Sequence, residues 1–144
     1  MVRRDEWLLL FIGLPGGSYP VDQIRIMKGM FLLSQEGPRE VRGLYRFLPY
    51  HYGPFDTGVY TDLDALESRG LIRSDIASGS NRRIYGMTER GRVMSAALEK
   101  QVSATALESV RAIKRHVMSL SFLALLQDVY ERYPAYAVRS IARR

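Results

Sequence analysis

The sequence predicts a mainly α fold carrying one small antiparallel β-wing, an α+β domain with additional C-terminal helices. Three observations lead there. Apolar residues recur at helical spacing in most segments of the 144-residue chain. One stretch, "LIRSDIASGSNRRIYGMT", places strand-like runs on either side of a Ser-Gly-Ser-Asn tip. Two more helical segments follow that hairpin, between Ser103 and Tyr133. A 47% apolar, 25% charged composition is that of a folded chain, and at this length about 70% of the unfolded surface is buried without help from a metal or disulfide. The chain has no cysteine, which excludes disulfides, thiolate catalysis and Cys-based zinc sites.

The elements follow in order. "MVRRDEWLLLFIGLPGG" mimics a secretion signal, but Asp5 and Glu6 interrupt its basic start and no small-residue cleavage site follows. It reads instead as a first helix ending at Gly13, with Pro15-Gly16-Gly17 as the stop, in a chain expected to be cytoplasmic, with no membrane partner. Tyr19–Gly37 reads as a second helix with Pro20 in its first turn and apolar rows at Ile24, Met27, Phe31 and at Ile26, Met30, Leu33. Leu44–Leu48 is expected to be a short strand and Gly53-Pro54 a turn. Asp56 or Thr57 then caps a third helix, and with Asp56 as the cap Phe55 and Tyr60 hold the positions of a hydrophobic staple. Val59, Leu63 and Leu66 form its inner stripe, and Gly70 ends it.

Leu71–Ala77 and Arg82–Met87 are the hairpin strands, and Thr88 opens a helix towards Lys100. Helices over Ser103–Leu120 and Ser121–Tyr133 follow, with Pro134 before a basic tail. Ala106, Val110, Ile113, Val117 and Leu120 recur at the spacing of a helix-helix seam. That seam serves either packing within the chain or dimerisation through Val110, Ile113, Val117 and Leu120.

The order helix, helix, short strand, capped helix, hairpin, helix is that of a winged helix-turn-helix. "VYTDLDALESRGLI" resembles the recognition helix of PadR-type transcriptional regulators at Tyr60, Leu63, Leu66, Glu67, Gly70, Leu71 and Ile72. "RRIYGMTERGRVM" resembles the end of their wing and the helix after it, at Arg83, Tyr85, Thr88 and Gly91. "FLPYHYGPFD" and "YERYPAYAVRS" extend the likeness to small prokaryotic winged-helix proteins. The resemblance implies a DNA-binding domain over 1–100 and, over 101–144, helices that join two subunits.

Charge bears on the partner. The net charge is +6 and the pI about 9.8, which suits a polyanion such as double-stranded DNA. The third helix nonetheless holds Asp62, Asp64 and Glu67 after Asp56, against one base, Arg69. At 100° per residue its outer face presents Thr57, Thr61, Asp64 and Ser68, so its N-terminal half, with Gly58 and Tyr60, is uncharged. Threonine can read base edges, and Asp64 can accept from a cytosine amino group. Arg39, Arg42 and Arg46 before the helix, and Asn81, Arg82 and Arg83 on the wing, are the candidate backbone contacts. The acidic helix favours the alternative, a protein-interaction module of adaptor or antitoxin type without direct DNA readout. Base stacking on the tyrosines fits less well, since Tyr45 and Phe47 alternate onto one face. His51 and His116 are the only histidines and lack metal-ligand spacing, so neither a metal, another cofactor nor catalysis is expected.

Overall fold

A computed structural model describes residues 1–16 and 20–141. Gly17 of the expected helix stop, Tyr19 at the expected start of the second helix, and Arg143 and Arg144 of the basic tail lie outside the described residues. The order of elements is α1 (Arg4–Gly13), β1 (Val21–Asp22), α2 (Gln23–Glu36), β2 (Leu48–Tyr50), β3 (Gly53–Phe55), α3 (Thr57–Ser68), β4 (Ile72–Ile76), β5 (Arg83–Met87), α4 (Glu89–Glu99), α5 (Ala104–Ser119) and α6 (Phe122–Arg132). Short 3-10 turns cover Arg39–Val41 and Pro134–Ala137. The fold is α+β with a winged-helix layout: one antiparallel sheet has the order β1-β5-β4, and β2-β3 forms a separate hairpin.

The run "WLLLFIG" has no amphipathic period because nothing on it faces water: Trp7 to Gly13 are all buried. α1 is the central helix and touches α2, α3, α4, α5 and β5. Its approach to α2 depends on Gly29, where a Cβ would stand 2.1 Å from Cζ of Phe11.

The second helix starts later than Tyr19 or Pro20. Val21 and Asp22 pair instead with Tyr85 and Ile84 of β5. Asp22 is the N-cap, its carboxylate accepting from the Arg25 amide at 2.9 Å. The same carboxylate takes the Arg25 guanidinium and lies 3.7 Å from that of Arg82 in the wing. Arg25 also donates to the carbonyls of Val117 (3.1 Å) and Leu120 (2.7 Å), where α5 ends.

The expected strand over Leu44–Leu48 is displaced to Leu48–Tyr50, and Gly53-Pro54 belong to its partner strand, with His51-Tyr52 as the turn. Tyr45 and Phe47 are buried without ladder partners; core packing alone makes them alternate. Pro49 faces Pro54 across the hairpin, which leaves the neighbouring pairs, Leu48–Phe55 and Tyr50–Gly53, to exchange the hydrogen bonds that proline cannot donate. Gly53 has φ +89°, a conformation that suits glycine at the start of β3.

Hairpin and caps follow the sequence closely. Asp56 caps α3 through the Gly58 amide at 2.8 Å, and Phe55 meets Tyr60 edge-on with centroids 5.4 Å apart, the expected staple. Thr88 caps α4 through the Gly91 amide at 3.0 Å.

The seam of α5 is filled from within. Ala106, Val110 and Val117 are fully buried in the core shared with α1 and α2, and Ile113 and Leu120 pack against it. Val110, Ile113, Val117 and Leu120 therefore close this chain's core and are not a free dimer surface. The same core runs from α1 to Val129 of α6, with no break in packing at residue 100. Beyond Pro134 the chain folds back: Ala137 is buried, and the Ile141 amide donates to the His51 carbonyl at 3.0 Å.

Candidate nucleic-acid interface

The outer face of α3 is laid out as its period requires. Thr57, Thr61, Asp64 and Ser68 are exposed, Gly58 is half-buried, and Val59, Leu63 and Leu66 are buried. Gly70, placed by the period on that stripe, is exposed; its φ of +76° ends the helix. Tyr60 does not join the outer face. Its ring is half-buried against Phe55, and burial raises its hydroxyl pKa.

Of the three acids within α3, one is ion-paired by the rest of the chain and one is hydrogen-bonded. Asp62 is buried and accepts from Arg4 twice, at 2.7 and 3.0 Å, and from the Tyr45 hydroxyl at 2.6 Å. Burial, then the Asp62 carboxylate, pushes the Tyr45 pKa far up, and the hydrogen bond to Asp62 raises that of Arg4. The Arg4 guanidinium lies over the Tyr45 ring, 4.6 Å from its centroid. Glu67 accepts from the Ser74 hydroxyl at 2.9 Å, and that oxygen in turn accepts from Arg83 at 2.9 Å. Asp64 alone among the acids within α3 stays exposed with no hydrogen bond or ion pair among the described residues.

The arginines divide into groups. Arg46 is held at the entry to α3, its amide donating to the Asp56 carboxylate at 2.6 Å while its side chain is exposed and without a polar partner among the described residues. Arg39 and Arg42 flank Glu40, which accepts from Ser103 at 3.1 Å, so this segment is tied to the start of α5. Arg42 donates to the Gly37 carbonyl at 2.9 Å. Asn81, Arg82 and Arg83 are exposed on the wing. Sequence reasoning missed Arg4, whose guanidinium lies 3.4 Å from the point where a Cβ on Gly58 would stand. It sits at the N-terminus of α3 with its charge paired to Asp62, and no local signal joins residues 58 apart.

Asp62 docks α3 on α1. Asp62→Asn is expected to cost about 2 kcal/mol in urea unfolding, less than the ~3–5 kcal/mol of a fully buried broken pair because Arg4 is 42% exposed and solvent screens it. Unchanged stability would show that apolar packing alone seats α3.

Elsewhere, ring contacts and polar clusters tie elements of the chain together. His51 stacks on Tyr50 with centroids 4.4 Å apart, and Tyr52 meets Phe122 edge-on. His116 and Arg132 both contact Asp128, and Arg132 and Tyr133 bind Glu36 of α2. Among the described residues no group of three or more histidines and carboxylates could hold a metal ion, and no helix is long and apolar enough to cross a membrane. No protein-family model matches the chain, and no curated protein is significantly similar to it.

Proposed function

We propose that the chain is a cytoplasmic, sequence-specific double-stranded DNA-binding transcriptional regulator of PadR-like type, acting as a homodimer. One observation carries the reading: an outward, uncharged N-terminal half of α3 (Thr57, Thr61) is bordered by Arg4 and Arg46 and followed by a wing bearing Asn81, Arg82 and Arg83. In this reading α3 enters the major groove, the wing lies along the backbone, and a bound dimer represses by occluding the promoter. The subunits would meet through outward faces of α5 and α6, where Met118 and Leu123 are exposed.

A second reading, an adaptor-like protein-interaction module, is favoured by the unpaired Asp64 and by Arg69, the one base at the end of α3, being held 3.5 Å from Asp5. Titration with random duplex DNA at several salt concentrations separates the two. A DNA binder loses affinity steeply with salt, and replacing Arg82 and Arg83 by alanine is expected to lower the salt slope by about two. No binding at low salt would overturn the DNA reading and favour the module.

A further inference from the structure

The chain contains two buried lysines, and they differ. Lys114 satisfies all three of its donors, giving hydrogen bonds to the carbonyls of Phe11, Ile12 and Leu14 at 2.8, 2.8 and 2.9 Å. Lys28 of α2 is 3% exposed and makes one long hydrogen bond, 3.3 Å to the Pro54 carbonyl. An ammonium has three donors, so two on Lys28 have no protein acceptor among the described residues.

Lys28 lines a space of about 140 Å³ with Met27, Tyr50, Tyr52, Phe55 and Tyr60, between α2, the β2-β3 hairpin and the entry to α3. The lining carries no carboxylate and no second cation. Nothing in it neutralises the amine, and burial pushes the Lys28 pKa down to about 7. A buried cation on an otherwise aromatic and aliphatic wall is complementary to an anion with an apolar body. The volume limits that body, since a cavity of about 150 Å³ holds one benzene ring.

We propose that this cavity binds a small monocarboxylic acid with an apolar body of about six carbons, its carboxylate accepting from Lys28 and its body lying among Tyr50, Tyr52, Phe55 and Tyr60. The carboxylate supplies the acceptors Lys28 lacks and holds the amine in its charged form. The site goes beyond the DNA reading and does not depend on it, because binding is read on Lys28 itself.

Lys28, Lys100 and Lys114 are the only lysines, so a lysine Cε–Nζ correlated NMR spectrum has three signals, assigned with Lys28→Met and Lys114→Met. Benzoate and hexanoate, each at about 10 mM, well above the millimolar binding expected of so small a ligand, should move the Lys28 signal and leave Lys100 in place. Benzyl alcohol and hexanol should not move it. Lys28→Met should weaken binding about tenfold or more, the loss expected for a charge-assisted hydrogen bond. A Lys28 signal indifferent to both acids, equal response to the alcohols, or unchanged affinity in a folded Lys28→Met protein would each overturn the proposal. If Lys28→Met does not fold, the wild-type spectra decide alone.

Discussion

Lys114→Met is expected to lower stability by about 3 kcal/mol at neutral pH, seen as a fall in the urea midpoint with an unchanged slope. The lysine reaches from α5 to the C-terminal end of α1, where the last carbonyls of a helix have no partner within it. It bonds two of them, on Phe11 and Ile12, together with that of Leu14 just beyond the helix, and places positive charge at the negative end of the helix dipole. Methionine keeps the length of the side chain and removes every donor, stranding three buried acceptors at a cost of about 1–3 kcal/mol each. Relief from holding a buried ammonium offsets part of this. Equal stability in the variant would mean that water replaces the amine.

The same group contributes to the pH dependence of stability. Burial lowers the Lys114 pKa from 10.5 to about 8. Between those values the unfolded chain binds a proton that the folded chain does not, so stability rises with pH. Lys28 adds to the slope from about pH 7. Above pH 10 the trend reverses, because Tyr45, Tyr60 and Tyr85 keep protons that the unfolded chain releases. Lys114→Met should remove about 1 kcal/mol of the rise between pH 7 and 9.

Gly91→Ala is expected to be worse, costing more than about 3 kcal/mol or preventing folding. A Cβ at Gly91 would stand 1.9 Å from the Leu71 carbonyl oxygen. That oxygen cannot retreat: it accepts from the Thr88 amide at 3.2 Å, while the Thr88 hydroxyl donates to the Gly70 carbonyl at 2.6 Å. Helix propensity alone favours alanine by about 1 kcal/mol, so a loss isolates the clash. Gly86→Ala is the control, with its nearest neighbour atoms 3.9 Å away on Arg73, and should change thermal stability by less than about 1 kcal/mol. Similar melting of the two variants would refute the close approach of α4 to the α3–β4 turn.

What the sequence revealed depended on range. The Asp56 and Thr88 caps, the Phe55–Tyr60 staple and the β4-β5 hairpin involve partners a few residues apart, so spacing alone exposes them. Val21 and Asp22 read as the start of a helix because their partners in β5 lie some 60 residues on. Lys28 and Lys114 interrupt helical patterns as polar positions ordinarily do, and nothing local says that both point inward. The α5 seam shows the other limit: a period identifies a sticky face but not which surface covers it. For the candidate site, the outer face of α3 followed from geometry, whereas the burial of Asp62 and the nearness of Arg4 came only with tertiary packing.

Asp22 stands at the head of a short mechanical train. Its backbone belongs to the wing sheet, its carboxylate faces Arg82 and grips Arg25, and Arg25 in turn grasps the corner between α5 and α6. A wing pushed aside by whatever it touches must therefore either carry α2 and that corner with it or tear the Asp22–Arg25 joint. The wing and the α5–α6 corner are geared together through a pair of side chains one helical turn apart.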